Sequence, residues 1–159
     1  IVDTPLGEIS IMSFHLTPYT EDLRHPEIEL ILTSQKAFSK RILMGDLNSL
    51  SSADTYPSNL SESFNEIQLK KFTTAGKLRF DVIDKILSNG YIDSAVQLQK
   101  NKENTVPTPI NKDQSHASLR LDYIFVSKEL TLHLQSYTVV KNQFTNQASD
   151  HYPVVVVLE

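Results

Sequence analysis

The sequence predicts one α/β or α+β domain built on a mixed sheet, and three observations predict it. Segments with strand and helix periodicity alternate through the first half of the chain. Strand-like segments dominate the last third, which is the ordering expected of a mixed sheet. The chain has 159 residues, of which 40% are hydrophobic and 21% charged, enough apolar material for one sizeable core and too much for bulk disorder.

The elements follow in order. Glu8 to His15 places Ile9, Ile11 and Phe14 among small polar residues, a two-residue rhythm that reads as a strand. Thr17-Pro18-Tyr19-Thr20 is loop chemistry. From Pro26, acceptable in a first helical turn, Ile28, Ile31, Leu32 and Phe38 recur at helical spacing and predict a helix with one buried stripe. Arg41 to Gly45 carries the run Ile42-Leu43-Met44 closed by glycine, the pattern of a strand buried on both faces. Asn48 to Ser63 is rich in Ser, Asn, Asp and Pro and reads as a long surface loop. Its Asn59-Leu60-Ser61 sequon has meaning only in an exported protein.

Phe80 to Leu87 sets Val82, Ile83, Ile86 and Leu87 in helical register, and Asn89-Gly90 ends that helix as a C-cap pair. Gln99 to Ser118 holds three Lys and two Pro among polar residues and reads as a mobile connection lying over a site. Leu119 to Val126, Thr138 to Val140 and Tyr152 to Leu158 read as strands. The unbroken Val154-Val155-Val156-Val157 calls for cover on both faces.

Composition removes several function classes. No apolar run approaches the roughly 20 residues of a membrane span. The absence of cysteine excludes disulfide scaffolds, thiolate zinc sites and cysteine nucleophiles, and leaves the compartment open. A formal net charge of -4 lacks the basic footprint of a strong nonspecific nucleic-acid binder, without excluding a local groove. Lys70-Lys71, Lys100 and Lys102 are dispersed and read as solvated faces rather than a nucleic-acid track. The chain opens on Ile1-Val2 with no initiator Met and no signal-like segment, so the expectation is a piece of a longer product.

Polar signatures sit at the ends of apolar strands: His15, Asp46 with Asn48, and Asp150-His151. A carboxylate and a carboxamide two residues apart share one side of an exiting strand and present hard oxygen atoms, as Mg²⁺ or phosphate chemistry requires. Taken alone, Asp-x-Asn is also common in turns, and a single His is more often a satisfied polar residue than a catalyst. In order along the chain stand His15-Leu16, Gly45-Asp46-Leu47-Asn48, Arg120-Leu121-Asp122-Tyr123-Ile124-Phe125-Val126-Ser127 and Ser149-Asp150-His151-Tyr152-Pro153-Val154-Val155. With these four motifs the chain resembles, over nearly its whole length, the C-terminal half of the endonuclease/exonuclease/phosphatase (DNase I-like) superfamily. Asp54-x-Tyr56, Gly90-Tyr91-Ile92-Asp93 and Thr105-x-Pro107-Thr108 further resemble uncharacterised prokaryotic members.

The resemblance implies a mixed sheet with helices on one face, half of a four-layer α/β/β/α sandwich, and a divalent-metal-dependent phosphoesterase. It implies that Asp46 orients or deprotonates the attacking water and that Asn48 holds a phosphoryl oxygen. His151 would donate to the phosphate, Asp122 would pair with a histidine, and His15 would be general acid toward the leaving oxygen. Asp150, with Asp46 and Asn48, would face Mg²⁺ or Mn²⁺, together with an upstream Glu that is not in this chain. Asp122 inside Leu121-Asp-Tyr-Ile-Phe needs a partner if buried. Arg120 either contacts a phosphate or is a solvated strand residue. Asp93 reads as structural, and Asp54 and Tyr56 either shape the loop after Asn48 or touch substrate.

With the other half of such a sandwich absent, one sheet face would be bare. The expectation is cover from the missing half, from rearranged strands or from a homodimer contact through that face. A noncatalytic interaction module that keeps the motifs is the rival to the enzyme. Within the enzyme reading, net charge disfavours nucleic acid against small or lipid phosphoesters, and substrate stays open.

Overall fold

A computed structural model describes residues 1–111 and 117–159 of the chain. Strand β1 (Val2–Thr4) turns into β2 (Gly7–His15), and helix α1 (Glu21–Gln35) crosses over to β3 (Arg41–Asp46). A long connection containing a 3-10 turn at Leu60–Ser63 leads to α2 (Glu66–Phe72), followed by the two-residue strands β4 (Thr73–Thr74) and β5 (Lys77–Leu78). Helix α3 (Asp81–Ser88), β6 (Tyr91–Asp93) and α4 (Ser94–Gln97) precede the polar segment, and β7 (Asp122–Ser127) follows it. The chain ends with β8 (Leu134–Val139), α5 (Thr145–Ala148) and β9 (Val154–Leu158). Among the described residues no helix is long and apolar enough to cross a membrane.

The main sheet has the order β1-β2-β3-β7-β6. β2 and β3 run parallel across the α1 crossover, and the other neighbours are antiparallel. Alternation along the strands separates two cores. Leu43, Tyr123 and Phe125 point to the helical face and pack with Ile28 and Leu32 of α1 and Val82, Ile83 and Ile86 of α3. Ile9, Ile42, Ile124 and Val126 point the other way, where Val154, Val156 and Leu158 of β9 close over them. The sheet is therefore mixed, with helices on one face and the β8–β9 pair beginning a second strand layer on the other.

That second layer answers part of the bare-face expectation. β9 covers one end of the inner face, while Ile11 remains 37% exposed. The valine run differs from its sequence reading. Val155 and Val157 are 46% and 41% exposed, because only the alternate residues Val154, Val156 and Leu158 pack, half-buried, against the main sheet.

Helix α1 starts at Glu21, five residues before Pro26. Thr20 caps it by accepting from the Leu23 amide, and Glu21 and Asp22 lie in its first turn, where carboxylates complement the helix dipole. Pro26 sits inside the helix, so its missing N–H removes one intrahelical bond without ending the element. Helix α2, which periodicity alone did not expose, begins with a complete capping box between Asn65 and Gln68. Helix α3 matches its expected position and gives way to Gly90 at φ +82°.

The Asn48–Ser63 connection is less of a surface loop than its composition indicates. Asn48, Ser49, Leu50 and Ser51 are buried, and Leu50 and Leu60 join Phe64, Phe72, Leu119 and Leu121 in a third apolar cluster. The Gln99–Ser118 segment is pinned on both sides of residues 112–116, which lie outside the described part. Val106 bridges Leu119, and Thr105 and Thr108 are buried.

Candidate functional site

The strand register assembles the site. His15 is the last residue of β2, Asp46 the last of β3 and Asp122 the first of antiparallel β7. His15 pairs with Asp46, and Asp46 pairs with Asp122. Directly opposed residues share a sheet face, so three polar side chains stand in a row at one edge.

Gly45 permits this row. It pairs with Phe14 at φ +140°, and a Cβ there would lie 1.8 Å from the Phe14 carbonyl oxygen. Only glycine lets the two strands approach so closely one residue before His15 and Asp46. Asn48 then turns the chain in the left-handed region at φ +50°, which asparagine tolerates better than most residues. Its amide N–H donates to Asp46 Oδ1 at 2.8 Å, and its Nδ2 donates to the Leu16 carbonyl at 2.8 Å.

His151 enters from the segment before β9. Its Nδ1 lies 2.8 Å from Asp122 Oδ2 and its Nε2 4.0 Å from Asp46 Oδ2. A carboxylate only accepts, so Nδ1 carries the proton toward Asp122 and Nε2 faces Asp46. His15 Nε2 stands 3.2 Å from the same Asp46 oxygen, with 67% of its side chain exposed at the mouth. Asp46, Asp122 and His151 each offer one ligand atom within 4.8 Å of the others, the single group of this kind among the described residues.

The electrostatics follow from burial. Asp46 is held above its ordinary carboxylate range, first by desolvation and then by the Asp122 charge, against the Asn48 amide bond that favours its ionised form. Burial alone lowers the His151 imidazole, but the Asp122 hydrogen bond and the charges of Asp122, Asp46 and Asp150 outweigh it and leave the group raised.

A cleft of about 330 Å³ opens beside these groups, lined by His15, Asn48, Lys71, Asp150 and His151 together with apolar residues including Leu119 and Leu121, while Asp46 and Asp122 lie behind the two histidines and do not line it. Lys71 belongs to this cleft and not to a solvated face. Its Nζ donates to Asn48 Oδ1, and burial lowers its pKa to about 8 against the opposing pull of Asp46. The Asn65–Gln68 capping pair places α2 and hence its last-turn Lys70 and Lys71, a signal present in the sequence. Asp150 lines the cleft but stands outside the three-residue ligand group. Its Oδ1 accepts from Ser149 Oγ at 3.2 Å.

Arg120 is neither at the cleft nor solvated. It is 2% exposed, bonded to Asp54 at 2.7 Å and to Asp93 at 3.1 Å, and stacked 4.4 Å over the Tyr123 ring. Its guanidinium is spent on tying the loop after Asn48 to the start of α4, where Asp93 also caps the helix. Tyr56 shapes the same loop through the Ser51 amide.

No known family profile and no curated protein matches the sequence. Solved structures do match the fold. A 3'-5' exonuclease from Neisseria meningitidis superposes at TM-score 0.66 with 20% identity, over 94% of this chain and 60% of that one. An AP endonuclease from Archaeoglobus fulgidus gives 0.65 and 17%, over 95% and 62%. A mannosyl-6-phosphatase from Bacteroides thetaiotaomicron gives 0.58 and 20%, over 94% and 50%. The chain thus spans half to three-fifths of the structures it resembles, and its fold is that of the endonuclease/exonuclease/phosphatase proteins.

Proposed function

We propose that this chain supplies the water-activating and phosphate-holding part of a divalent-metal-dependent phosphoesterase. The observation that carries the reading is the convergence of Asp46, Asp122 and His151 within 4.8 Å, three groups far apart in sequence. Asp46 orients water for in-line attack on phosphorus and takes its proton. Asn48 keeps one amide N–H beyond its bond to Leu16 and, with Lys71, binds a phosphoryl oxygen as charge accumulates. Asp122 fixes the His151 tautomer and His151 donates to the phosphate once protonated at Nε2. His15, exposed beside Asp46, returns a proton to the leaving oxygen.

The residues fit a divalent ion. Asp46 is a desolvated carboxylate whose ion-pair neighbours are two histidines, 3.2 and 4.0 Å away, and Asp150, which lines the cleft with those two histidines, adds a second hard-oxygen donor. Asp46 and Asp150 would hold Mg²⁺ or Mn²⁺, with an acidic residue from the part of the fold that lies upstream, while the Asn48 carboxamide, whose Oδ1 accepts from Lys71 and whose Nδ2 donates to Leu16, would serve the phosphate rather than the metal. When bound, the ion stabilises negative charge on the phosphoryl oxygens. That upstream part would also cover the sheet around Ile11.

The substrate is a phosphoester. The neighbours range from nucleases to a sugar phosphatase, and one was captured with a product DNA hairpin. The decisive assay presents the full-length protein, with Mg²⁺ or Mn²⁺, with plasmid DNA, bis-p-nitrophenyl phosphate, sphingomyelin and inositol phosphates. Asp46→Asn, Asp122→Asn and His151→Asn should each lower the best of these rates by about 10²–10³. Unchanged rates in all three would overturn the reading.

A further inference from the structure

At the other end of β3 a pocket of about 410 Å³ opens on the helical side of the sheet, lined by Lys36, Arg41, Lys85, Glu29 and Tyr91 among others. Asp46 lies five positions along β3 from Arg41, or roughly 16 Å of strand, so this pocket and the cleft are distinct. Its charge is unusual for a chain of net charge -4: three cations face one carboxylate.

Lys36 and Lys85 have a local explanation, because they lie at or near the C-terminal ends of α1 and α3, where cations complement exposed carbonyls. Lys85 also bonds Glu29 at 2.8 Å. Arg41 has neither account. Of the four arginines in the chain, Arg24, Arg79 and Arg120 each hold a carboxylate within 2.8 Å. Among the described residues Arg41 has no ion pair, and its Nε is buried without a hydrogen-bond partner. Its guanidinium lies 4.7 Å over the centre of the Tyr91 ring, which fixes the plane of the donor fork. Tyr91 is itself locked by a 2.8 Å bond to Gln35. Glu129 feels the Arg41 charge without forming an ion pair with it, so a half-buried guanidinium held over Tyr91 and bonded to no carboxylate, with an exposed lysine lining the same pocket, has the donor chemistry for a doubly charged oxyanion.

We propose that this pocket is a second anion site, separate from the Asp46–His151 cleft, that takes the phosphate group of a small phosphomonoester. The oxyanion bridges Arg41 and Lys36, and the remaining volume, too large for phosphate alone, receives the organic group against Leu32 and Tyr91.

The test follows amide shifts of the ¹⁵N-labelled full-length protein at constant ionic strength during titration with inorganic phosphate, glycerol phosphate and AMP. Saturable shifts at Lys36, Arg41, Gly90 and Tyr91 are expected, retained in Asp122→Asn. Arg41→Gln should weaken the site at least about tenfold, and Arg41→Lys should weaken it less. If Arg41→Gln fails to fold, Lys36→Gln on the exposed end of α1 must show the same loss. Shifts equal in chloride, or unchanged by these substitutions, overturn the site. Glycerol phosphate and AMP both binding no tighter than inorganic phosphate overturns the phosphomonoester assignment, and tighter binding of one of them identifies the organic group.

Discussion

Arg24 Nη2 donates a 2.7 Å hydrogen bond to the Lys71 carbonyl oxygen, joining the first turn of α1 to the last turn of α2. The same guanidinium bonds Glu21 at 2.7 Å, Ser49 Oγ at 2.9 Å and the Thr17 carbonyl at 3.1 Å. Glu21 in turn accepts from Ser49 and from the Val82 amide at the start of α3. Arg24 and Glu21 are 0% and 1% exposed, so this network ties three helices to the turn that carries Asn48.

Breaking that pair should be costly from either side. Arg24→Gln leaves the Glu21 carboxylate buried without its charge partner, and a broken buried pair typically costs about 3–5 kcal/mol. The double variant Glu21→Gln, Arg24→Met leaves no uncompensated charge and should lose less than Arg24→Gln alone. Urea unfolding of the three proteins checks this, and a double variant as unstable as the single one would refute it.

Lys71 predicts an opposition between stability and binding. Its folded pKa of about 8 lies below the ordinary value of 10.5. A base depressed in the folded state costs stability wherever the unfolded chain is protonated, so the penalty is full below about pH 8 and fades as pH rises toward 10.5. Lys71→Met should therefore raise stability at neutral pH by about 1–3 kcal/mol, lose that advantage near pH 10, and weaken phosphate binding in the cleft. Thermal unfolding at both pH values and phosphate titration of the cleft amides provide the readouts. A less stable Lys71→Met at neutral pH contradicts the account.

His15 was legible as a strand end because a two-residue rhythm stops there, and Asp46 because the apolar run before it closes at Gly45, whereas the pattern puts Asp122 inside a strand from Leu119 and it instead opens β7. Arg120 was not legible, since a guanidinium inside a strand motif looks the same whether it meets a phosphate or Asp54 and Asp93. Lys71 was hidden for a related reason. Its burial depends on α2 folding back over Asn48, a long-range contact that local composition does not encode, although the Asn65–Gln68 capping pair marks the helix itself. Pro26 misdirected the start of α1 because proline suits a first turn, while Thr20 with Glu21 and Asp22 is the stronger start signal.

Gly45 is required by backbone approach, not by chemistry. Gly45→Ala drives a methyl into the Phe14 carbonyl, so β2 and β3 must separate where His15 meets Asp46. The expected loss is more than about 3 kcal/mol, with phosphoesterase activity falling further than the folded fraction does. Gly76, whose added Cβ would meet nothing within 4 Å, is the control: despite its positive φ, Gly76→Ala should cost less. Comparable losses at both positions would show that strand approach is not the constraint.

The Asp122–His151 pair sets a pH signature. His151 titrates above its ordinary 6.5 in the folded protein, so its contribution to stability is full below about pH 6.5 and is lost as pH rises through the folded value. Asp122→Asn removes the hydrogen-bonded carboxylate and should lower the His151 midpoint, read from its imidazole C2–H resonance. The stability gap between wild type and Asp122→Asn should then be widest near pH 6 and narrow by about pH 9. A midpoint that does not move in Asp122→Asn would mean that Asp122 neither holds the His151 tautomer nor prepares Nε2 for the phosphate, and the assignment of His151 as a donor would fall with it.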